Sequence, residues 1–196
     1  IHEQLEKSQR IRKEREQQQE VYTNVLKNYD DGLNYLLSRG LTKETIEYFG
    51  LGYDGETDRI SIPIYDKAGR IQTYAYRAAS NNVDPDKRYR IYNTSEWKKD
   101  QNFYNPGAIE WGTGPIVITE GFFDCMTVWQ AGHKRVVAMM GASLNDAKVN
   151  LLGDNPLIFM PDAKKPDDFE LFRKSVFRLR ASKPDLIIKV ALLEAG

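Results

Sequence analysis

Residues 115–132 limit the possible folds of this chain more than any other segment, because a short apolar run there is followed by an acid and a glycine. Ile-Val-Ile-Thr at 116–119 predicts a strand buried on both faces, and Glu120 and Gly121 end it. The apolar residues that follow predict a helix, closed by Gly132. Glu120 is therefore expected at the rim where open α/β sheets bind their ligands. Asp124 falls in the first turn of the helix, where its charge complements the helix dipole.

Strands continue to alternate with helices through the rest of the chain. Strands are predicted at 135–140, 156–161 and 186–193, with helices running to about residue 152 and over 168–180. This alternation is typical of an α/β domain with a central parallel sheet and right-handed crossovers. Glu120 and Asp162 both follow strands, so their carboxylates are expected at the same sheet edge. Such hard oxygen ligands suit Mg²⁺ or Mn²⁺.

The Glu120-Gly-x-x-Asp124 pattern resembles the signature of the Toprim domain, found in primases, topoisomerases and some nucleases. The resemblance implies catalytic roles for Glu120, Asp124 and Asp162 in phosphoryl transfer, and metal binding by Glu120 and Asp162. That family carries Asp-x-Asp after the third strand, whereas this chain has Lys164 in the second position. Asp167 and Asp168 could partly replace the missing acid as metal ligands, or one of them could cap the next helix.

The first half of the chain predicts an α+β subdomain behind a charged lead-in. Residues 1–20 are mostly Gln, Glu, Lys and Arg, which favours a solvated helix. Apolar residues recur at helical spacing from residue 22 to 37, and Gly32 is predicted to break this stretch into two helices. Residues 59–77 alternate as a β-hairpin.

A segment over residues 87–99 interleaves cations with aromatic residues. Cations contact phosphates and aromatic faces stack on bases, which is how proteins hold single strands without reading their sequence. The predicted phosphate contacts in this segment are Lys87, Arg88, Arg90, Lys98 and Lys99. A merely solvated, mixed-charge loop would explain the same pattern.

Three passages, at 35–53, 59–77 and 87–105, resemble in order the catalytic core of DnaG-type primases. The resemblance implies synthesis of RNA primers on single-stranded DNA from ribonucleoside triphosphates. It also implies that Arg77 and Asn93, which match positions of the primase passages, contact nucleic acid or nucleotide. It also implies a replicative helicase partner, reached through regions absent from this chain. The expected organisation is a lead-in at 1–20, an N-terminal subdomain at 21–111 and a Toprim domain at 112–196, truncated in its C-terminal part.

Composition narrows the possible classes of protein. Hydrophobic residues make up 41% and charged residues 29%, as in ordinary globular proteins, and the formal net charge is zero. One cysteine and two histidines cannot form a zinc ribbon, so no zinc is expected in this fragment. Without a P-loop, a membrane-length apolar run or a signal sequence, we expect a cytoplasmic protein with no membrane partner.

Two other functions remain open from the sequence. A metal-dependent Toprim nuclease would share Glu120 and Asp162, although it would not need the primase-like passages. A catalytically silent module that binds single-stranded nucleic acid would explain Lys164. Because the family's further Asp-x-Asp would begin about where Gly196 ends the sequence, we expect an excised fragment or a compact, phage-like or divergent homologue.

Overall fold

The computed structural model describes residues 30–80, 83–84, 87–95, 97–141, 144–161 and 166–191, without the side chains of residues 166–169 and 171–172. The predicted lead-in at 1–20 and the first part of the helical region therefore lie outside the described residues. Within them, no helix is long and apolar enough to cross a membrane.

Five α-helices and eight strands are described, and their order follows the predicted pattern. The helices are α1 (Asp30–Ser38), α2 (Lys43–Tyr48), α3 (Phe122–Gln130), α4 (Asp146–Leu152) and α5 (Pro166–Ser182). The strands are β1 (Gly52–Asp54), β2 (Arg59–Tyr65), β3 (Ile71–Ala78), β4 (Tyr89–Ile91), β5 (Ile116–Thr119), β6 (Val136–Ala138), β7 (Leu157–Met160) and β8 (Ile188–Val190). Two short 3-10 helices cover Lys99–Gln101 and Pro106–Glu110.

The strands form two sheets of different kinds. The first has the order β1-β2-β3-β4 and contains the predicted hairpin, with antiparallel pairing between β1 and β2 and between β3 and β4. The second has the order β6-β5-β7-β8, and its described pairs are all parallel. The predicted fold class, an α+β part followed by an α/β domain with a central parallel sheet, is confirmed.

Contacts within the chain define two compact units. One comprises Ile1–Pro63 and Tyr74–Tyr92, and the other Ile64–Thr73 and Asn93–Gly196. The segment that precedes the parallel sheet lies in the second unit, where Tyr104 pairs with Ala138 at the outer edge of β6. Units defined by contact need not coincide with independently folding domains, so the predicted boundaries at residues 20 and 111 stay a prediction.

The predicted break at Gly32 is wrong. Gly32 lies inside the first turn of α1 and is buried. A Cβ atom built on Gly32 would lie 2.5 Å from the Cβ and Cγ atoms of Tyr53 on β1. The glycine therefore lets α1 approach Tyr53 closely, a need that helical periodicity alone does not reveal.

The strands of the parallel sheet lie within a continuous apolar core. Ile116 and Ile118 of the central strand β5 are almost completely buried, as are Leu157 and Phe159 of β7. A strand covered on both faces carries little polar alternation, which is why a plain apolar run predicted it correctly. The core fixes the sheet edge at which β5 and β7 end together, since Thr119 pairs with Met160.

Candidate active site at the edge of the parallel sheet

Glu120 follows the last paired residue of the central strand β5. On one side Thr119 pairs with Ala138 of β6, and on the other with Met160 of β7. The side chain of Glu120 is partly buried. Glu120 thus lies at the carboxyl end of a strand that is paired on both sides, as the sequence predicted. This pairing gives the side chain a rigid backbone to project from.

The backbone next to Glu120 is held by an unusual turn. The Met140 amide donates to the Glu120 carbonyl at 3.0 Å, and the Met139 amide donates to the Thr119 carbonyl at 2.9 Å. Met140 has a φ of 58°, in the left-handed region that non-glycine residues seldom adopt. These bonds extend the pairing of β5 by one residue and hold the Glu120 backbone against the end of β6.

Asp124 caps the helix that begins after Glu120. Its Oδ2 atom accepts a 3.2 Å hydrogen bond from the Gly121 amide, one of the donors that a helix start leaves without an intrahelical acceptor. A Cβ atom on Gly121 would lie 2.8 Å from the same oxygen, so the glycine makes room for the cap. This bond fixes the sharp turn between Glu120 and α3, and the predicted catalytic role of Asp124 stays a prediction.

The other predicted acids cannot be placed. Asp162 lies outside the described residues, and the side chains of Asp167 and Asp168 are also outside them. Pro161, which follows the end of β7, is the last residue described before that gap. Metal binding by these three acids stays a prediction. Among the described residues, no group of three or more His, Cys, Asp or Glu side chains could hold a metal ion.

A buried lysine supports the turn beside Glu120. Lys148 on α4 is only 2% exposed, and its Nζ atom donates a 2.5 Å hydrogen bond to the Met139 carbonyl. The pKa of Lys148 is lowered to about 8, mainly because the amine is buried; the nearby charge of Lys99 also lowers it, and that of Asp100 partly opposes the change. Lys148 therefore ties α4 to the turn that contacts Glu120.

The predicted nucleic-acid contacts fall into buried and exposed groups. Arg77 is 3% exposed, donates to the Tyr89 hydroxyl and the Ala78 carbonyl, and lies over the rings of Tyr35 and Tyr89. Lys87 and Arg90 are exposed, whereas Arg88 is partly buried. The internal contacts of Arg77 stabilise its own unit, so the exposed cations are better placed to meet a phosphate.

The remaining three predicted contacts lie in the second unit. The Asn93 side-chain oxygen accepts a 2.9 Å hydrogen bond from the Lys99 amide and closes the loop between them. Lys98 is exposed and Lys99 is partly buried. Asn93 is thus a loop-closing residue in this structure, and the predicted nucleotide contacts of all three stay a prediction.

Sequence reasoning missed two buried cations. Arg59 is 7% exposed and donates to the carbonyls of Lys87 and Arg88, which fixes the backbone of the basic segment. The sequence did contain a signal, because Arg59 is a charged residue at the start of a mostly apolar strand. A charge buried at such a position needs hydrogen-bonding partners. Lys148 stands four residues after Leu144 and four before Leu152, both buried, so its place on an apolar helix face could have been noticed.

Comparison with known proteins agrees with this geometry. Residues 117–166 match a family model described as Toprim-like. A DNA primase of Enterococcus faecalis is 27% identical over 180 residues, covering 68% of this chain and 29% of the relative. A DNA primase of Deinococcus radiodurans is 30% identical over 136 residues, covering 65% and 23%. The chain thus spans less than a third of the length of these curated relatives.

Solved structures show the same fold. The zinc-binding and RNA polymerase domains of the Aquifex aeolicus primase superpose with a TM-score of 0.76 at 20% identity, covering 92% of this chain and 54% of that one. The E. coli primase catalytic core gives 0.71 at 20% identity, covering 91% and 70%. A DnaG primase catalytic domain bound to single-stranded DNA gives 0.71 at 20% identity, covering 89% and 68%. The resemblance stated from the sequence is confirmed: this chain has the DnaG catalytic-core fold with a Toprim-like segment.

Proposed function

We propose that this chain synthesises short RNA primers on a single-stranded DNA template from ribonucleoside triphosphates. The observation that carries the proposal is Glu120, held at the carboxyl end of the central strand in a DnaG-type catalytic-core fold. A structural relative with that fold was solved bound to single-stranded DNA, which supports the choice of template. The replicative helicase as partner, and cytoplasmic location, stay predictions.

The donor chemistry at the sheet edge fits a divalent cation. Carboxylate oxygens such as those of Glu120 are the ligands that Mg²⁺ and Mn²⁺ prefer, and the sheet edge holds the backbone of Glu120 firmly. Glu120 and Asp162 would hold the metal, with Asp167 and Asp168 in support. When bound, it would neutralise triphosphate charge during transfer.

The protein's own residues then have separate tasks. Glu120 presents a fixed carboxylate near the place where a primer 3′ hydroxyl must meet the triphosphate. Asp124 keeps the turn after Glu120 in shape through its bond to the Gly121 amide. The exposed cations Lys87, Arg90 and Lys98 bind template or nucleotide phosphates, which in-line transfer requires to be correctly placed.

The proposal is tested by incubating the protein with single-stranded DNA, labelled ribonucleotides and Mg²⁺ or Mn²⁺. We expect metal-dependent oligoribonucleotides from the wild type and none from Glu120→Gln, which keeps the size of the side chain but removes its charge. Glu47→Gln, at an exposed position on α2, is the matched control and should synthesise normally. Shortened DNA without new RNA would indicate a nuclease instead. Binding to DNA without either product would indicate a catalytically silent module.

A further inference from the structure

One face of the antiparallel sheet carries a row of tyrosines beside an arginine. Tyr74 and Tyr76 are two residues apart on β3, so their side chains share a face. Their ring centroids are 6.3 Å apart, and the ring of Tyr92, just after β4, is 6.3 Å from that of Tyr76. Arg90 pairs directly with Tyr76 across the two strands and therefore stands on the same face.

This face is partly exposed to solvent, whereas the opposite face of β3 is buried. Tyr74 and Tyr76 are partly buried, whereas the alternating residues Ala75 and Arg77 are 0% and 3% exposed. Tyr92 is 56% exposed. Arg90 is also exposed. We call Tyr74, Tyr76, Tyr92 and Arg90 the tyrosine face.

We propose that the tyrosine face is a base-stacking surface for single-stranded nucleic acid. Aromatic rings bind unpaired bases of any sequence by stacking, and a neighbouring cation binds the connecting phosphates. The tyrosine face supplies both groups within one sheet. The inference rests on the proposed function for its biological meaning, since a primase must hold an unpaired template, but it is testable by binding alone.

Charges at the borders of the tyrosine face set the direction in which a strand would lie. Burial raises the pKa of Tyr76, and the charge of Asp54 raises it further, which puts a carboxylate on the β1 side. Arg90, which is exposed on β4, lies on the opposite side. Phosphates are repelled by the first border and attracted by the second, so the backbone runs along β4 while the bases turn towards β3.

The experiment compares two labelled probes at several salt concentrations, without nucleotides: oligothymidylate and an abasic oligomer of the same length. We expect Tyr92→Ala to weaken oligothymidylate binding about tenfold and Tyr92→Phe to change it by less than about twofold, because the ring does the stacking. Binding of the abasic oligomer should be the same in all three proteins. Tyr48→Ala removes another exposed tyrosine, which lies on α2 outside the tyrosine face, and serves as the matched control.

Arg90→Ala provides the second measurement. It should weaken both probes and reduce the slope of log affinity against log salt concentration by about 0.7, the value for one phosphate contact on a single strand. The proposal is overturned if Tyr92→Ala binds oligothymidylate as the wild type does, or if the wild type binds both probes equally. Primer synthesis is scored separately. A wild type that makes no primers but shows these binding differences would contradict the proposed function and leave the stacking surface established.

Discussion

The Met140 amide donates a hydrogen bond to the carbonyl oxygen of Glu120 at 3.0 Å, and Met140 adopts a left-handed backbone to do so. The side chain of Met140 is at the same time 5% exposed. A strained backbone that is also buried persists only where its surroundings hold it, and such positions are often found beside functional sites. This turn gives the catalytic carboxylate we propose a second backbone support besides its own strand.

The turn predicts different effects for two apolar substitutions at Met140. Met140→Leu keeps the side-chain volume, and leucine accepts the left-handed backbone about as well as methionine does. Met140→Val instead places a β-branched side chain at positive φ. We expect Val to lower the free energy of unfolding by about 2 kcal/mol more than Leu. Urea unfolding of both variants measures this. Equal stabilities would mean that the left-handed backbone does not constrain the residue.

The capping bond of Asp124 predicts that two substitutions at this position affect stability and activity differently. Asp124→Asn retains an oxygen that can accept from the Gly121 amide, whereas Asp124→Ala loses that bond at a cost of about 1 kcal/mol. We expect Asp124→Asn to keep most primer synthesis. We expect Asp124→Ala to be less stable than the wild type. If Asn folds with wild-type stability but makes no primers, the Asp124 charge takes part in the chemistry directly.

The sequence predicted the parallel sheet well because strands buried on both faces appear as continuous apolar runs, as Ile116 and Ile118 do. It placed Glu120 correctly because only chain direction is needed to assign a residue to a sheet edge. It did not predict the support from Met140 or Lys148, since both act on backbone carbonyls of another element, which side-chain periodicity does not report. Nor could it separate the internal Arg77 from the exposed Arg90, as both are cations on neighbouring strands.

The close approach of α1 to β1 predicts a reversal of the usual helix propensity at Gly32. Replacing an exposed helical glycine with alanine normally stabilises by up to about 1 kcal/mol. Here the new Cβ atom would lie 2.5 Å from Tyr53, so we expect Gly32→Ala to destabilise. Denaturant unfolding of Gly32→Ala, Tyr53→Ala and the double variant tests this, because Tyr53→Ala removes the Cγ atom and the ring from the contact. If the contact is responsible, the double variant should be less destabilised than the sum of the two single changes.

The buried position of Lys148 predicts how stability depends on pH. Burial lowers its pKa to about 8, below the value of about 10.4 expected for an unfolded chain. Between these two pH values the unfolded state binds more protons than the folded state, so this group makes the protein more stable as pH rises from about 8 to 10.4. Cys125 acts in the opposite direction, because burial raises the pKa of its thiol and the unfolded state then releases its proton first.

The contribution of Lys148 therefore has to be measured as a difference between proteins. We expect the wild type to gain stability relative to Lys148→Met as pH rises from about 8 to 10.4, because methionine cannot titrate. Lys174→Met, at an exposed position on α5, is the matched control for the loss of one lysine. Urea unfolding at several pH values gives both curves. Parallel curves for the wild type and Lys148→Met would show that Lys148 titrates alike in the folded and unfolded chains, and that its amine is not desolvated beneath the Met139 carbonyl.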